Sequence, residues 1–454
     1  MASRLLVTRT KIWPLAFVII LAIAVLPGKS ALEGDQRSIE DISDKSDNWG
    51  FLTAYLYGEW PSLLGDWRIS LIIFQLVISL CGFLLLTDNF RPKNLKSGFV
   101  YYSLFFVSSM FSVQLWRDAT LYSFSLFGFG LINFSFGRSI KLKLLLNSAG
   151  WTILVFACMF KPVLSIAVIP LLVWLIWQNH NGNFSKTLLL VMIPLTLLST
   201  FPGILDKNLS KIAKMQSVYP EQQPIILDLA MNYCWGQSES IRKASEQALI
   251  GVVRPNYPVE SVCAATNPFR WDDLHQDPKD WEFSSPVIRI IDQPQEAKVR
   301  KLISDWIYVV IRNPADWLQV RLLFIGPVLF MSNSFVSHVD AELDSKPLDL
   351  ISNALWIPIH FTISLLDKMR ITSLFLLFLF QFLLLFRFSK NEQAETLIVR
   401  KEIYFSICSS IVTLTLANLT FLAPNGRYVL PYILLNYILL FRLLSKVGNS
   451  PLTA

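Results

Sequence analysis

The chain has 454 residues, of which 53% are hydrophobic and 16% are charged, whereas soluble domains average roughly 45–50% apolar and about 25% charged residues. Its net charge of +7 does not indicate a nucleic-acid partner, because the basic residues occur in short loops between apolar runs rather than in a basic stripe with interleaved aromatics. The composition therefore excludes an ordinary soluble protein and predicts an all-α polytopic membrane protein with one extracytoplasmic insert.

Residues 1–205 are predicted to form an N-terminal transmembrane bundle. Arg4, Arg9 and Lys11 precede the first apolar run, 12–26, which is expected to be an uncleaved anchor with its N-terminus in the cytoplasm. An acidic segment follows and is placed outside. Spanning a bilayer takes about 20 apolar residues, and the later basic loops all fall on one side when the runs alternate in direction. The further runs are 69–86, 99–115, 120–136, 144–160, 163–178 and 187–205.

Residues 206–318 contain no spanning run and are predicted to form an extracytoplasmic insert with its own core. Apolar residues recur at helical spacing over 298–311, and 225–231 is the expected helical partner. Cys234 and Cys263 lie in this insert. They could form a disulfide in an oxidising compartment or remain free thiols, and the sequence leaves both alternatives open.

Residues 319–370 allow two predictions. Their apolar stretches are short, which favours two interfacial or re-entrant helices, while two further spans around a cytoplasmic loop are the alternative. Residues 371–454 are predicted to form the C-terminal transmembrane helices. The total is about ten spans, or twelve on the alternative, with both termini in the cytoplasm.

Templates of soluble enzymes find no match in the sequence. There is no phosphate-binding glycine-rich loop, no Asp-X-Asp pair and no Gly-X-Ser-X-Gly elbow, and none of the four histidines pair at metal-ligand spacing. We therefore expect no cofactor, with metal dependence left open. An enzyme of this kind should act at the outer face, on a substrate delivered by a lipid.

Two outer-face segments contain acidic residues that could take part in such chemistry. Asp35 follows the first span in Glu33-Gly34-Asp35, where a carboxylate could act as a general base on an acceptor hydroxyl, or simply belong to a solvated acidic loop. Asp118 lies in the hairpin Trp116-Arg117-Asp118, where charges between packed helices tend to be functional, although an ordinary Arg–Asp turn pair is the alternative.

Basic residues at the same face could hold a phosphate. Arg427 follows Pro424-Asn425-Gly426 at the start of the last span, where a tight turn would present its guanidinium. The alternative for Arg427 is simple snorkelling to a lipid headgroup. Arg117 and Lys161, in the two other outer hairpins, are further candidates, and Tyr428 is a supporting residue.

These segments resemble bacterial members of the C-type glycosyltransferase superfamily, related to protein O-mannosyltransferases and to aminoarabinose transferases of lipid A. The resemblance rests on Gly34-Asp35, the Trp116-Arg117-Asp118 hairpin, Asn313-Pro314-X-X-Trp317 followed by Arg321, and the terminal Arg427-Tyr428-X-X-Pro431. Many relatives have Lys-Asp in the second outer hairpin, where this chain has Arg117-Asp118, and arginine differs from lysine in geometry.

The resemblance implies a polyprenyl-phosphate-linked sugar as donor, with a glycan, lipid or protein as acceptor, at the outer face of a bacterial cytoplasmic membrane. It implies that Asp35 is the base and that Arg427 holds the donor phosphate. Two alternatives stay open: an O-antigen-type polymerase or ligase that uses a diphosphate-linked oligosaccharide, and a transporter or scaffold without catalysis. A transporter would need ionisable residues along a path at mid-membrane, and the apolar runs contain almost none.

Overall fold

The structure is a computed structural model, and it is helical throughout its described part apart from turns and one isolated antiparallel bridge between Val253 and Ile288. The all-α class predicted from the sequence is therefore confirmed. The structure describes residues 2–25, 51–53, 67–87, 95–112, 117–160, 165–179, 198, 200–213, 215, 222–266, 287–288, 295–323, 329, 354–355, 357, 361, 373–389, 394–420 and 429–447.

Six named helices make up the N-terminal part. Their centres are apolar runs that contain almost no ionisable residue, and each helix contributes side chains to one shared hydrophobic core. They are α1 (Ala2–Val25), α2 (Trp67–Leu86), α3 (Leu95–Ser112), α4 (Arg117–Ser135), α5 (Ile140–Phe160) and α6 (Ser165–Asn179).

Helices α2 and α4 run in the same direction and touch at both ends. Near their starts the Gln75 side chain donates to Thr120 Oγ1 at 2.8 Å. Near their ends the Asn133 amide donates to the carbonyl of Leu85 at 3.0 Å. Helix α5 runs antiparallel to α4, because Phe160, at the end of α5, packs on Phe124, near the start of α4, with ring centroids 5.6 Å apart.

Glycines allow α2, α4 and α5 to approach closely. A Cβ atom on Gly82 of α2 would lie 2.6 Å from the backbone of Leu126 in α4, and one on Gly130 would lie 2.7 Å from the carbonyl oxygen of Gly82. Gly128 and Gly150 make the equivalent approach between α4 and α5. The three helices thus pack backbone against backbone, a geometry that any larger residue would prevent.

Three C-terminal helices complete the same apolar core: α12 (Leu374–Ser389), α13 (Ala394–Thr420) and α14 (Leu430–Val447). At one end of this bundle Arg442 of α14 donates to Gln178 Oε1 of α6 at 3.0 Å. At the same end, the ring of Phe441 lies 6.1 Å from that of Tyr101, near the start of α3. The ends of α6 and α14 therefore lie together with the start of α3, in agreement with the alternation of directions predicted from the basic loops.

The bundle also exposes apolar side chains in continuous stripes. On α12, the side chains of Phe375, Leu379, Phe382 and Phe386 point outward at helical spacing, and Phe386 is 66% exposed. Within the described residues, Ile140–Phe160 is long and apolar enough to cross a membrane by length and composition, and shorter apolar helices accompany it. The number of spans stays a prediction.

The insert has a separate hydrophobic core built from five helices. They are α7 (Gln222–Trp235), α8 (Glu239–Leu249), α9 (Ser261–Ala265), α10 (Glu296–Arg312) and α11 (Pro314–Leu322). Ser238 caps α8, because its hydroxyl accepts from the Ile241 amide at 3.3 Å. Pro314 occupies the first turn of α11, where its missing N–H costs nothing. The predicted pairing of 225–231 with 298–311 is confirmed, since α7 and α10 share this core.

Candidate functional site at the start of helix α4

The structure describes only part of the predicted site. Asp35, Lys161, Arg427 and Tyr428 lie outside the described residues, so their predicted roles stay predictions. Arg117 is described as the first residue of α4. Asp118 follows it in the first turn and is fully buried.

Asp118 is a buried acid in a bundle whose core is mainly apolar. Transferring a carboxylate out of water is costly, so a buried acid requires compensating polar surroundings. Part of that compensation is its place at the start of α4, where the helix macrodipole favours a negative charge. We expect such a residue to be retained for a function rather than for stability.

A group of neutral polar side chains lies near the start of α4, between α2, α3 and α4. We call it the hydroxyl cluster. Ser79 and Ser112 share a hydrogen bond at 2.7 Å, and Ser123 donates to Ser112 at 3.2 Å. The hydroxyls of Ser108 and Tyr122 are 2.6 Å apart. With Gln75 and Thr120, these buried residues join the three helices by hydrogen bonds and fix the position of the first turn of α4.

The start of α14 reaches the same place. Phe441, near the end of α14, packs on Tyr101 near the start of α3, and Ser112, at the end of α3, accepts a hydrogen bond from Ser123 near the start of α4. Helices α14 and α4 therefore start at the same end of the bundle, where Phe160 at the end of α5 also packs on Phe124. Val429 and Leu430, which connect α14 to the Arg427-Tyr428 segment, are also buried. The starts of α4 and α14 and the end of α5 therefore meet at one end of the bundle.

A second buried polar cluster lies in the insert, and the sequence did not predict it. Asp228 of α7 forms an ion pair with Arg321 of α11, with Arg321 Nη2 2.7 Å from Asp228 Oδ1 and side-chain exposures of 4% and 1%. The indole N–H groups of Trp306 and Trp317 donate to Asp228 Oδ2 at 2.5 and 2.8 Å. The Asn232 amide also donates to the backbone carbonyl of Asp228 at 2.7 Å.

This second cluster explains the Asn313-Pro314-X-X-Trp317…Arg321 motif. Trp317 and Arg321 lie one turn apart on α11, so both reach the same carboxylate of α7. The motif fastens α11 to the insert, and its chemistry is structural in the described part of the chain. The sequence signal was an acid among the apolar residues Ile225–Met231, which the apolar pattern alone did not distinguish from a solvent-facing residue.

Two further buried polar groups lie among the C-terminal helices. Gln381 of α12 donates to Ser406 and Ser410 of α13 at 2.7 and 2.8 Å, and Ser406 donates to Asn436 of α14 at 2.6 Å. At the opposite end of the bundle from Asp118, Arg442 is buried between Gln178 and Glu402. These groups join helices and lie apart from the start of α4.

Cys234 and Cys263, which the sequence left either paired or free, are bonded to each other in the structure, with their Cα atoms 5.4 Å apart. The bond ties the last turn of α7 to α9. The three remaining cysteines are free thiols: Cys81, Cys158 and Cys408.

No cluster of histidine, cysteine or acidic side chains that could hold a metal ion occurs in the described ranges. The chain matches no protein-family model, and no curated protein or solved structure is significantly similar to it. Its functional interpretation therefore depends on the geometry and on the sequence motifs.

Proposed function

We propose that the chain is a multispan membrane glycosyltransferase that moves a sugar from a polyprenyl phosphate to an acceptor at the outer face of a bacterial cytoplasmic membrane. The proposal rests on the arrangement of the helix ends: α4 and α14 start, and α5 ends, at the same end of the bundle, where Asp118 is completely buried. Along the sequence, each of the three basic candidates is within three residues of one of these helix ends: Arg117, Lys161 and Arg427.

The membrane placement is supported by two features of the bundle. Its outward faces are apolar, as on α12. An exposed apolar surface of this extent is rare in soluble monomeric proteins. Its closest helix contacts use glycines, the type of packing that drives association of helices in lipid, where no hydrophobic effect brings them together.

The orientation is supported by the insert and by the loops. The Cys234–Cys263 disulfide indicates an oxidising compartment, since cytosolic thiols are kept reduced. Basic residues concentrate at the other end of the bundle, for example Arg138 in the turn after α4 and Lys141 and Lys143 in the first turn of α5, and this bias is typical of the cytoplasmic side. The Asp118 end is then the outer one.

In the proposed reaction, an acceptor hydroxyl attacks the anomeric carbon of the donor sugar while Asp35 takes the hydroxyl proton. The new bond joins the acceptor oxygen to the anomeric carbon, and the bond from that carbon to the phosphate oxygen breaks. The polyprenyl phosphate leaves with the electron pair, and its increasing negative charge is stabilised by Arg427, assisted by Arg117 and Lys161. Asp118 supports the site by fixing the first turn of α4.

Release of polyprenyl phosphate from a synthetic polyprenyl-phosphate hexose tests this proposal, with the purified protein in proteoliposomes and a cell-envelope extract as acceptor source. We expect Asp35→Asn to lower the rate about 10²–10⁴-fold, the usual contribution of a general base. Arg427→Ala should lower it about 10²–10³-fold, as loss of charge stabilisation does elsewhere.

Two matched controls accompany these variants. Asp44→Asn changes another acid of the same outer loop, and Arg387→Ala removes an exposed arginine in the last turn of α12, at the opposite end of the bundle. Both should retain the wild-type rate. Wild-type rates in Asp35→Asn and Arg427→Ala would refute the assignment of these two residues.

A further inference from the structure

The exposed side of α10 changes from charged to apolar along its length. In its first half, i,i+4 ion pairs join Glu296 to Arg300 at 2.6 Å and Lys301 to Asp305 at 2.5 Å. In its second half the same side of the helix exposes Ile307, Tyr308 and Ile311, and Ile311 is 72% exposed. A solvated helix keeps polar residues on its outer face throughout, so this change indicates a change in the surrounding medium.

The apolar surface continues onto α11. Asp228 holds this helix through Trp317 and Arg321, so the side that faces away from the insert is fixed. Leu318 and Leu322 of α11 are exposed, as is Leu323 directly after it. We call the combined surface the apolar edge, which comprises Ile307, Tyr308, Ile311, Leu318, Leu322 and Leu323.

Two further observations indicate what covers the apolar edge. The Arg312 guanidinium lies 5.4 Å from the centre of the Tyr308 ring, which places a cation and an amphipathic aromatic side by side at the border of the edge. Tyrosine is enriched at membrane interfaces, and the arginine fork matches the oxygens of a phosphate. In addition, α11 packs near α13 of the bundle, so the apolar edge lies beside the helices that are proposed to span the membrane.

We propose that the apolar edge is a lipid-binding surface that rests in the headgroup region of the outer leaflet, with Arg312 against lipid phosphates. The charged half of α10 stays in water, and the apolar half enters the interface to a depth of about 5–10 Å, as amphipathic helices do. This inference depends on the membrane placement of the proposed function and is independent of sugar transfer. It would hold the insert, and with it the acceptor side of the site, at a fixed height above the bilayer.

Depth-dependent fluorescence quenching tests the inference on the full-length protein in nanodiscs. The background carries C81A, C158A and C408A and keeps the Cys234–Cys263 disulfide. Single cysteines at Ile311 and Leu318 then carry an environment-sensitive fluorophore. Ser304→Cys is the matched control, because Ser304 is exposed on the charged half of α10. Phe382→Cys, on the outward face of α12, reports whether the bundle itself is in the membrane.

We expect the labels at positions 311 and 318 to be quenched more strongly by a shallow spin-labelled lipid than by a deep one, and the label at position 304 to be quenched by neither. If the label at position 382 is quenched and the labels at positions 311 and 318 are not, the apolar edge does not bind lipid, while the membrane placement of the bundle still holds. Absence of quenching at all four positions would overturn both. Disulfide cross-linking between two copies at position 311, without quenching, would assign the edge to a second copy of this chain and equally refute the inference.

Discussion

Replacing Arg321 by methionine removes the only described charge partner of Asp228 while keeping a long unbranched side chain in its place. Asp228 would remain as a carboxylate that is almost completely buried, with two indole N–H groups as its main donors. Removing one partner of a buried ion pair typically costs about 3–5 kcal/mol. Since about 1.4 kcal/mol is a factor of ten, the protection of the α7 and α11 amides against hydrogen exchange should fall by about 10²- to 4 × 10³-fold.

Hydrogen exchange with mass-spectrometric readout on the full-length protein measures this loss. Arg300→Met is the matched control, because Arg300 makes an exposed ion pair with Glu296 on the neighbouring α10 and should leave protection unchanged. The double variant Asp228→Asn with Arg321→Met removes both charges and keeps an acceptor for the two indoles, so it should recover part of the loss. A loss below about 1 kcal/mol in Arg321→Met would refute the view that this pair fastens α11 to the insert.

Three other outcomes follow from the packing. Gly82→Ala should lower the thermal unfolding temperature through an overpacking cost of about 1–3 kcal/mol. Gly251→Ala is the control and should leave that temperature unchanged, because its new Cβ atom would lie 3.9 Å from its nearest neighbour. Equal unfolding temperatures of the two variants would contradict the close approach of α2 and α4. Alkylation should modify Cys234 and Cys263 only after reduction, and labelling without reduction would show that they are free thiols. Replacing both cysteines by serine should destabilise the insert by about 2–5 kcal/mol. Gln381→Leu should lower the free energy of unfolding in detergent by up to about 1.7 kcal/mol, the upper range for hydrogen bonds between membrane helices. A higher free energy of unfolding in this variant would contradict a structural role for the hydrogen bonds of Gln381.

Apolar patterning predicted the described helices of the bundle, whereas it did not predict α8 and α9 of the insert. The run 69–86 corresponds to α2 and the run 144–160 lies within α5, because long apolar segments leave few alternatives to a helix that satisfies its own backbone. Pro314 lies in the first turn of α11, where its ring removes an N–H that the first turn does not need.

The polar contacts inside the apolar runs were not predictable in the same way. Ser79, Ser108 and Ser112 are small enough to occur anywhere in an apolar run, and only the register between α2, α3 and α4 makes them meet. Asp228 and Arg321 are far apart in the sequence, so their pairing depends on how α7 and α11 fold together. Hydrophobic periodicity reports which face is buried and carries no information about which buried polar groups pair.

The candidate site was predicted from short motifs, and the structure describes only Arg117 and Asp118 of its residues. Asp118 was predicted to support the site, with an ordinary Arg–Asp turn pair as the alternative, and the structure buries it completely in the first turn of α4 without testing its role. The roles of Asp35 and Arg427 are still predictions from the resemblance.

The location of the lipid phosphate is the most direct test of this account. A photoactivatable polyprenyl phosphate, cross-linked to the full-length protein in proteoliposomes and mapped by peptide sequencing, reports which helix ends surround the carrier's phosphate. We predict adducts in the first turn of α4, at the end of α5 and at the start of α14, with competition by unlabelled polyprenyl phosphate. Two results would contradict the proposed phosphate site. One is adducts confined to the opposite end of the bundle, around Gln178 and Arg442, and the other is equal competition by any phospholipid.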